Sequence, residues 1–219
     1  MKKITIAIIA LFSLISVASA DLGVNVGISS QVGVFHATGV ETRNKTTGSD
    51  EVNTEDATGI AGYKSFFIEK TLGRFITIGY DRSPDTLSSE TATNVTETED
   101  TLPGVYVVET NTIQMDFKDL STVYVAFNIT ENLFIKFGDM SVDVKTNEVI
   151  ETGATYNDFT LDGNMYGIGF NKTFDNTMFI RLEASRLDFE SNKQISGDNT
   201  LEMKEFEGGF AKVSIGKSF

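Results

Sequence analysis

Cysteine is absent from the 219-residue chain and histidine occurs once, at His36. No disulfide can brace the fold, and a closed zinc site, built from Cys and His, has no donor set. Proline occurs twice against 19 glycines, a balance that suits an all-β chain of short alternating runs. Positive charge is scarce, with 18 Lys and Arg against 31 Asp and Glu. A net charge of −13 has the wrong sign for phosphate backbones, so nucleic acid is excluded as a partner. Beyond residue 17 no apolar run approaches the roughly 20 residues of a membrane-spanning helix. Any membrane residence must therefore be built from strands, the only other structure that satisfies its backbone internally.

The first twenty residues carry what the rest lacks. Met1-Lys2-Lys3 is followed by the apolar residues 4–17 and then Ala18-Ser19-Ala20. A basic start, an apolar stretch and small residues at Ala18 and Ala20 predict a secretory signal cleaved after Ala20. Residues 1–20 are thus expected to be a leader and 21–219 a single domain, left with 16 basic and 31 acidic residues.

Period-two alternation recurs along that domain. Val24, Val26, Ile28, Val32, Val34 and Val40 share even parity, while Asn25, Gly27, Ser29, Gln31 and Gly33 fill the odd positions. A polar turn running into Phe-Ile appears three times, at residues 69–76, 128–135 and 171–180, with alternation on both sides. These are hairpin connections. Residues 41–57, 83–112, 145–158 and 190–203 are longer and polar, and are expected to be loops. The pattern predicts eight antiparallel strands, near 22–40, 58–70, 74–82, 113–129, 133–144, 160–172, 177–189 and 204–219. Partial alternation over 104–117 leaves an extra outer hairpin or a ten-stranded count open. Short turns on one rim and long loops on the other is the arrangement of a membrane barrel with its apolar face turned to lipid.

The last nine residues, Ala211 to Phe219, alternate once more and end on an aromatic residue. This resembles the C-terminal strand of bacterial outer-membrane β-barrels, and the whole mature chain resembles the small eight-stranded barrels of the OmpA, OmpX and OmpW kind. The resemblance implies an all-β, antiparallel, up-and-down transmembrane barrel, monomeric, in contact with outer-membrane lipid and lipopolysaccharide. It implies that Val213, Ile215 and Phe219 form the signal read by the barrel assembly machinery, with periplasmic chaperones as partners on the way. Lys217 departs from the family pattern, which has an apolar or aromatic residue there.

An eight-stranded barrel is wide enough only for side chains to fill its interior. Inward parity assigns Thr77, Asp81, Tyr124, Asn128, Lys136, Arg181 and Glu183 to that interior, and Asp81, Lys136, Arg181 and Glu183 are expected to pair and plug it. Parity in the second strand is undecided, since either face must accept a charge. His36 shares the parity of Val34, on the lipid side, with no partner completing a triad and no Gly-x-Ser-x-Gly elbow in the chain. No catalytic residue, metal site or cofactor is expected. Between Ser83 and Phe117 stand Asp85, Glu90, Glu97, Glu99, Asp100, Glu109 and Asp116 without one Lys or Arg, an acidic surface segment with no EF-hand spacing. The expected role is structural or surface-exposed, with acidic loops for adhesion or cation-bridged contacts. A narrow OmpW-like channel for small solutes and a lipid-modifying enzyme using His36 are the alternatives.

Overall fold

The computed structural model describes residues 23–43, 49–99, 106–150, 156–197 and 199–219. Ala18, Ala20, Asp100 and Glu151 lie outside the described residues. Among the described residues eleven strands form: β1 (Val24–Arg43), β2 (Glu51–Leu72), β3 (Ile76–Arg82), β4 (Leu87–Ser88), β5 (Ala92–Glu99), β6 (Tyr106–Asn128), β7 (Leu133–Ile150), β8 (Phe159–Thr173), β9 (Met178–Phe189), β10 (Asn192–Ser196) and β11 (Asn199–Ser218).

Eight of them make a ring in the order β1-β2-β3-β6-β7-β8-β9-β11, and β11 returns to β1, every pairing antiparallel. The closing seam runs from Asn25 opposite Ser218 to Arg43 opposite Asn199. Its last rung is made by the terminal residue, since Phe219 N donates to Val24 O at 2.8 Å and Val24 N donates to Phe219 O at 3.2 Å. A closed ring leaves no edge in the bilayer. Of the two counts left open, the ring has eight strands.

The four segments expected as loops hold more strand than their polarity suggested. Pairing of β1 with β2 continues to Arg43 opposite Glu51, β7 follows β6 as far as Ile150 opposite Asn111, β5 lies on β6, and β10 on β11. The residues responsible are Thr and Val, as in Val52, Thr54, Thr93 and Val95, whose branched side chains favour extended backbone even where the composition is hydrophilic. From Tyr106 onward, the partial alternation noted over 104–117 belongs to the outer length of β6.

Short turns join β2 to β3, β6 to β7 and β8 to β9. Gly73 takes φ +63° in the first, Thr130 Oγ1 accepts from the Asn132 and Leu133 amides in the second, and Thr177 takes φ +65° in the third. Near that rim the ring wears its apolar residues outward, among them Ile28, Phe66, Phe127, Phe137, Ile168, Phe170, Ile180 and Leu182, with Ile28 68% exposed. Val40 departs from the parity of its neighbours by being buried. It lies next to the step where β11 inserts Lys204 between the partners of Thr38 and Gly39, and such a bulge sharpens the local twist.

Inside, aromatic rings lie flat on glycines of the adjoining strand. Phe67 faces Gly27, Tyr124 faces Gly79, Phe134 faces Gly169, Phe179 faces Gly216 and Phe210 faces Gly33, each a direct register pair. A Cβ on any of these glycines would come within 2.2–2.4 Å of the ring. The absent side chain is what lets the ring lie along the wall.

Candidate functional site in the barrel interior

Three ion pairs lie in the lumen on the short-turn side. β2 resolves its ambiguous parity by turning Tyr63, Ser65, Phe67 and Glu69 inward and Lys64 and Lys70 outward. Glu69, 1% exposed, meets Arg181 from the opposite wall: Nη1 donates to Oε1 at 2.5 Å and Nη2 to Oε2 at 2.9 Å. Tyr124 OH donates to Oε1 at 2.6 Å and Asn25 Nδ2 to Oε2 at 3.2 Å, so both carboxylate oxygens are doubly engaged. The guanidinium lies 5.1–5.3 Å from the ring centroids of Phe67, Phe134 and Phe179. Lys136 Nζ donates to Glu183 Oε1 at 2.8 Å and stands 3.8 Å from the Tyr124 ring. Lys212 Nζ donates to Asp81 Oδ2 at 2.5 Å.

Removing an ion from water costs several kcal/mol, recovered only when partners and remaining hydrogen bonds are well placed. Three cations against three anions keep the lumen neutral inside a chain of net charge −13. Beside the Lys136 and Lys212 pairs a cavity of about 20 Å³ remains, bordered by Gln31, Tyr63, Asp81, Lys136, Ser185 and Lys212. That is room for about one water molecule.

All four charged residues expected inside, Asp81, Lys136, Arg181 and Glu183, stand there, but only Lys136 and Glu183 are partners of each other. The other two pair with Glu69 and Lys212, which sequence reasoning did not name. Lys212 shares its parity with Ser214 and Gly216, so the signal was present in the alternation. Glu69 was hidden because both faces of its strand carry charge. Asn128, expected in the lumen, is instead at the short-turn rim, where Nδ2 donates to Arg74 O at 3.0 Å, because β6 ends at that residue. Val213, Ile215 and Phe219 face outward and are half exposed, and Lys217 Nζ lies 5.0 Å from the Phe219 ring. His36 faces the same way, its Nδ1 3.1 Å from Thr58 Oγ1.

Charge pairs plug only part of the interior. Toward the long connections the lumen is filled by an apolar cluster that includes Tyr63, Met140, Val142, Val144, Leu161, Met165, Leu187, Phe189, Met203 and Phe210. Phe206 stacks on Phe35, Phe117 and Phe189 with centroids 4.8–5.7 Å apart. The reason is visible along single strands. In β7, Ile135 and Phe137 point outward below, while above them Asp139 and Asp143 point outward and Met140, Val142 and Val144 inward. In β8 the change falls between Tyr166 and Asn164, and in β9 between Leu182 and Arg186. In these three strands parity does not change; the solvent outside does. Below, apolar side chains meet hydrocarbon around a charged interior; above, polar side chains meet water around an apolar one.

The projecting ribbons use many of their acids internally. Asp116 accepts from Ser88 Oγ (2.6 Å), Asn147 Nδ2 (3.0 Å) and Gln114 Nε2 (3.2 Å), and these hydrogen bonds, led by that from Ser88, hold its carboxyl below the usual aspartate range. Asp85 accepts from the Lys64 amide, Asp56 from Thr38 Oγ1, Asp158 from the Thr146 amide and Glu148 from the Tyr156 amide. Burial, with Glu41 and Glu148 adding repulsion, pushes the Tyr156 hydroxyl up to about 12. No group of three metal-ligating side chains occurs among the described residues.

A closed antiparallel ring, an apolar outer band and a neutral, ion-paired centre define an eight-stranded transmembrane β-barrel of the outer-membrane class, its long strands projecting beyond the bilayer. No protein-family model and no curated protein matches the sequence. Among solved structures the chain is similar to the outer membrane protein OprG from Pseudomonas aeruginosa, at 9% identity over 88% of this chain and 96% of that one, TM-score 0.49. It is also similar to the outer membrane protein AlkL, at 12% identity over 93% of each chain, TM-score 0.44. A third is Ail, the attachment invasion locus protein of Yersinia pestis, at 10% identity over 86% of this chain and 98% of that one, TM-score 0.34. At these values the role of each stays with that protein.

Proposed function

We propose that the chain is exported through its N-terminal signal, cut after Ala20, and resides in the bacterial outer membrane as a closed, non-conducting monomer. Its role is structural and surface-exposed: the ring anchors the protein in lipid and lipopolysaccharide, and the ribbons β1–β2, β5–β6–β7 and β10–β11 present an acidic outer surface for contact with other surfaces. The observation that carries this reading is the filled lumen, three ion pairs below an apolar cluster with about 20 Å³ left between them. A pore needs continuous water, and none of that width fits here.

The test is single-channel recording in a planar bilayer with the refolded barrel. Insertion without discrete conductance steps is expected, and reproducible steps overturn the reading in favour of a channel. Val213, Ile215 and Phe219 are proposed as the residues read during assembly, after delivery by periplasmic chaperones. Deleting Phe219 removes the last rung to Val24, and the amount of heat-modifiable barrel in outer-membrane fractions is expected to fall; assembly at normal levels would sink that role.

A further inference from the structure

We infer that the outer edge of β2 takes up an extended, cationic segment of another protein as an added strand, an inference that rests on the surface reading above and names the class of partner for the ribbons. β2 pairs with β3 only from Phe66, opposite Arg82, to Leu72, opposite Ile76. Beyond Arg82 the chain leaves β2 and follows β6: Ser83 N donates to Leu120 O at 2.8 Å, Leu87 pairs with Phe117 and Ala92 with Ile113. β2 meanwhile continues along β1 to Glu51, opposite Arg43. The wall therefore parts above Phe66, and from there outward β1 is the one strand paired with β2 among the described residues.

Two hydrogen bonds show which backbone groups face the opening. Thr71 N donates to Gly23 O on the β1 side, and Lys64 N donates to Asp85 Oδ2 on the other, both at 2.7 Å. Odd residues of β2 thus serve β1, even residues face away from it, and the register with β1 runs without a bulge from Lys70 to Glu51. Val52, Thr54, Asp56, Thr58 and Ile60 present their N–H and C=O groups to the opening, along about 27 Å at roughly 3.4 Å per residue. Residues 52–60 are exposed on both faces of the ribbon. The Asp85 carboxylate already occupies, at Lys64, the place a strand's carbonyl would take.

An open edge of this length is a template for a further strand, and such edges are ordinarily blunted by proline, lysine or a bulge. Residues 51–63 contain no Pro, Lys or Arg. What they carry is acid: Glu55 and Asp56 are exposed, and across the opening residues 83–99 bring Asp85 and Glu90 and again no Lys or Arg. Positive charge is confined to the two ends, with Arg43 opposite Glu51, Lys64 beside Asp85, and Arg82 held by Asp119 at 2.5 Å. A second copy of this chain would lay acid on acid. A strand bearing Lys or Arg beside Glu55 and Asp56 gains ladder bonds and cross-strand charge pairs together.

The experiment uses the full barrel in lipid nanodiscs and three fluorescent ten-residue peptides, alternating Thr-Lys, Thr-Glu and Pro-Lys, read by anisotropy. The Thr-Lys peptide is expected to bind about tenfold more tightly than Thr-Glu, the ratio a few cross-strand charge pairs support. Pro-Lys keeps the charge but lacks half the donors, and should bind at least about fivefold more weakly than Thr-Lys. Thr54→Pro removes an N–H that faces the opening and spares the ladder to β1, so it should weaken Thr-Lys binding by a similar factor. Glu55→Lys should narrow the preference for Thr-Lys over Thr-Glu. Equal binding of Thr-Lys and Thr-Glu, Pro-Lys bound as tightly as Thr-Lys, or a Thr54→Pro barrel that binds as before overturns the added strand. Heat-modifiable migration of the same samples reads folding, and Glu55→Lys tests the edge should Thr54→Pro fail to fold. Protease applied to intact cells keeps the two readings apart: a β1–β2 ribbon cut only after lysis refutes the surface reading, whereas a ribbon cut on intact cells without peptide preference refutes the edge alone.

Discussion

The two halves of this barrel are built on the same alternation and opposite chemistry. Near the short turns the lumen holds charges and the outside is apolar; toward the long connections the lumen holds Met, Leu and Phe and the outside is charged. Both halves are full, one by ion pairing and the other by packing. A continuous alternation therefore reports only which residues share a face. What each face is made of reports the solvent, and the place where that composition inverts marks the bilayer surface.

The comparison can be broken most sharply in the lower half. Glu69→Ala leaves the Arg181 guanidinium buried without its carboxylate, and unfolding by urea in lipid vesicles is expected to show a loss of about 4 kcal/mol. In the upper half Leu161→Ala opens a cavity in the apolar cluster and should cost about 3 kcal/mol by the same measurement. If the upper lumen were a water-filled vestibule, that substitution would cost almost nothing. Gly79→Ala drives a methyl into the Tyr124 ring, and a loss of about 2 kcal/mol is expected. Replacing the Lys136–Glu183 pair together, as Lys136→Met with Glu183→Leu, should change stability by no more than about 1 kcal/mol, because both desolvation costs vanish with the attraction. Conductance steps from that double variant would show that charge, and not filled volume, closes the lumen.

The smallest effect belongs to the ribbon outside the membrane. The Asp116 carboxyl is held below its usual range, so its share of ribbon stability is fully present above the unfolded value near pH 3.9 and is lost as pH falls through the folded one. Chemical shifts of the Ser88 and Asn147 amides should titrate with a midpoint below about 3.9, and Ser88→Ala should raise that midpoint. A midpoint unmoved by Ser88→Ala would exclude that hydroxyl as the main cause.

The ring itself was legible because period two survives any solvent, and three similar turns fixed which connections were short. The interior was legible in part. Asp81, Lys136, Arg181 and Glu183 fall inside by parity alone, but a partner is chosen across the lumen by height and shear, which no strand records by itself, so Glu69 and Lys212 stayed unseen. The apolar outer lumen was missed for a different reason. Met140, Leu161 and Leu187 alternate as faithfully as Ile135, Ile168 and Ile180 do, on the opposite face, and their meaning depends on whether water or lipid lies outside. The ribbons were misread as loops because hydrophilic composition was weighed above the strand preference of Thr and Val.

Inversion halfway up the wall also settles how deep the protein floats. Sinking by one rung would carry Asp139, Asn164 and Arg186 to the edge of the oil, where a charge costs up to about 1 kcal/mol and more with depth. Rising by one would lift Phe137, Tyr166 and Leu182 into water. The order in which its side chains change holds the cylinder at its own waterline from both directions.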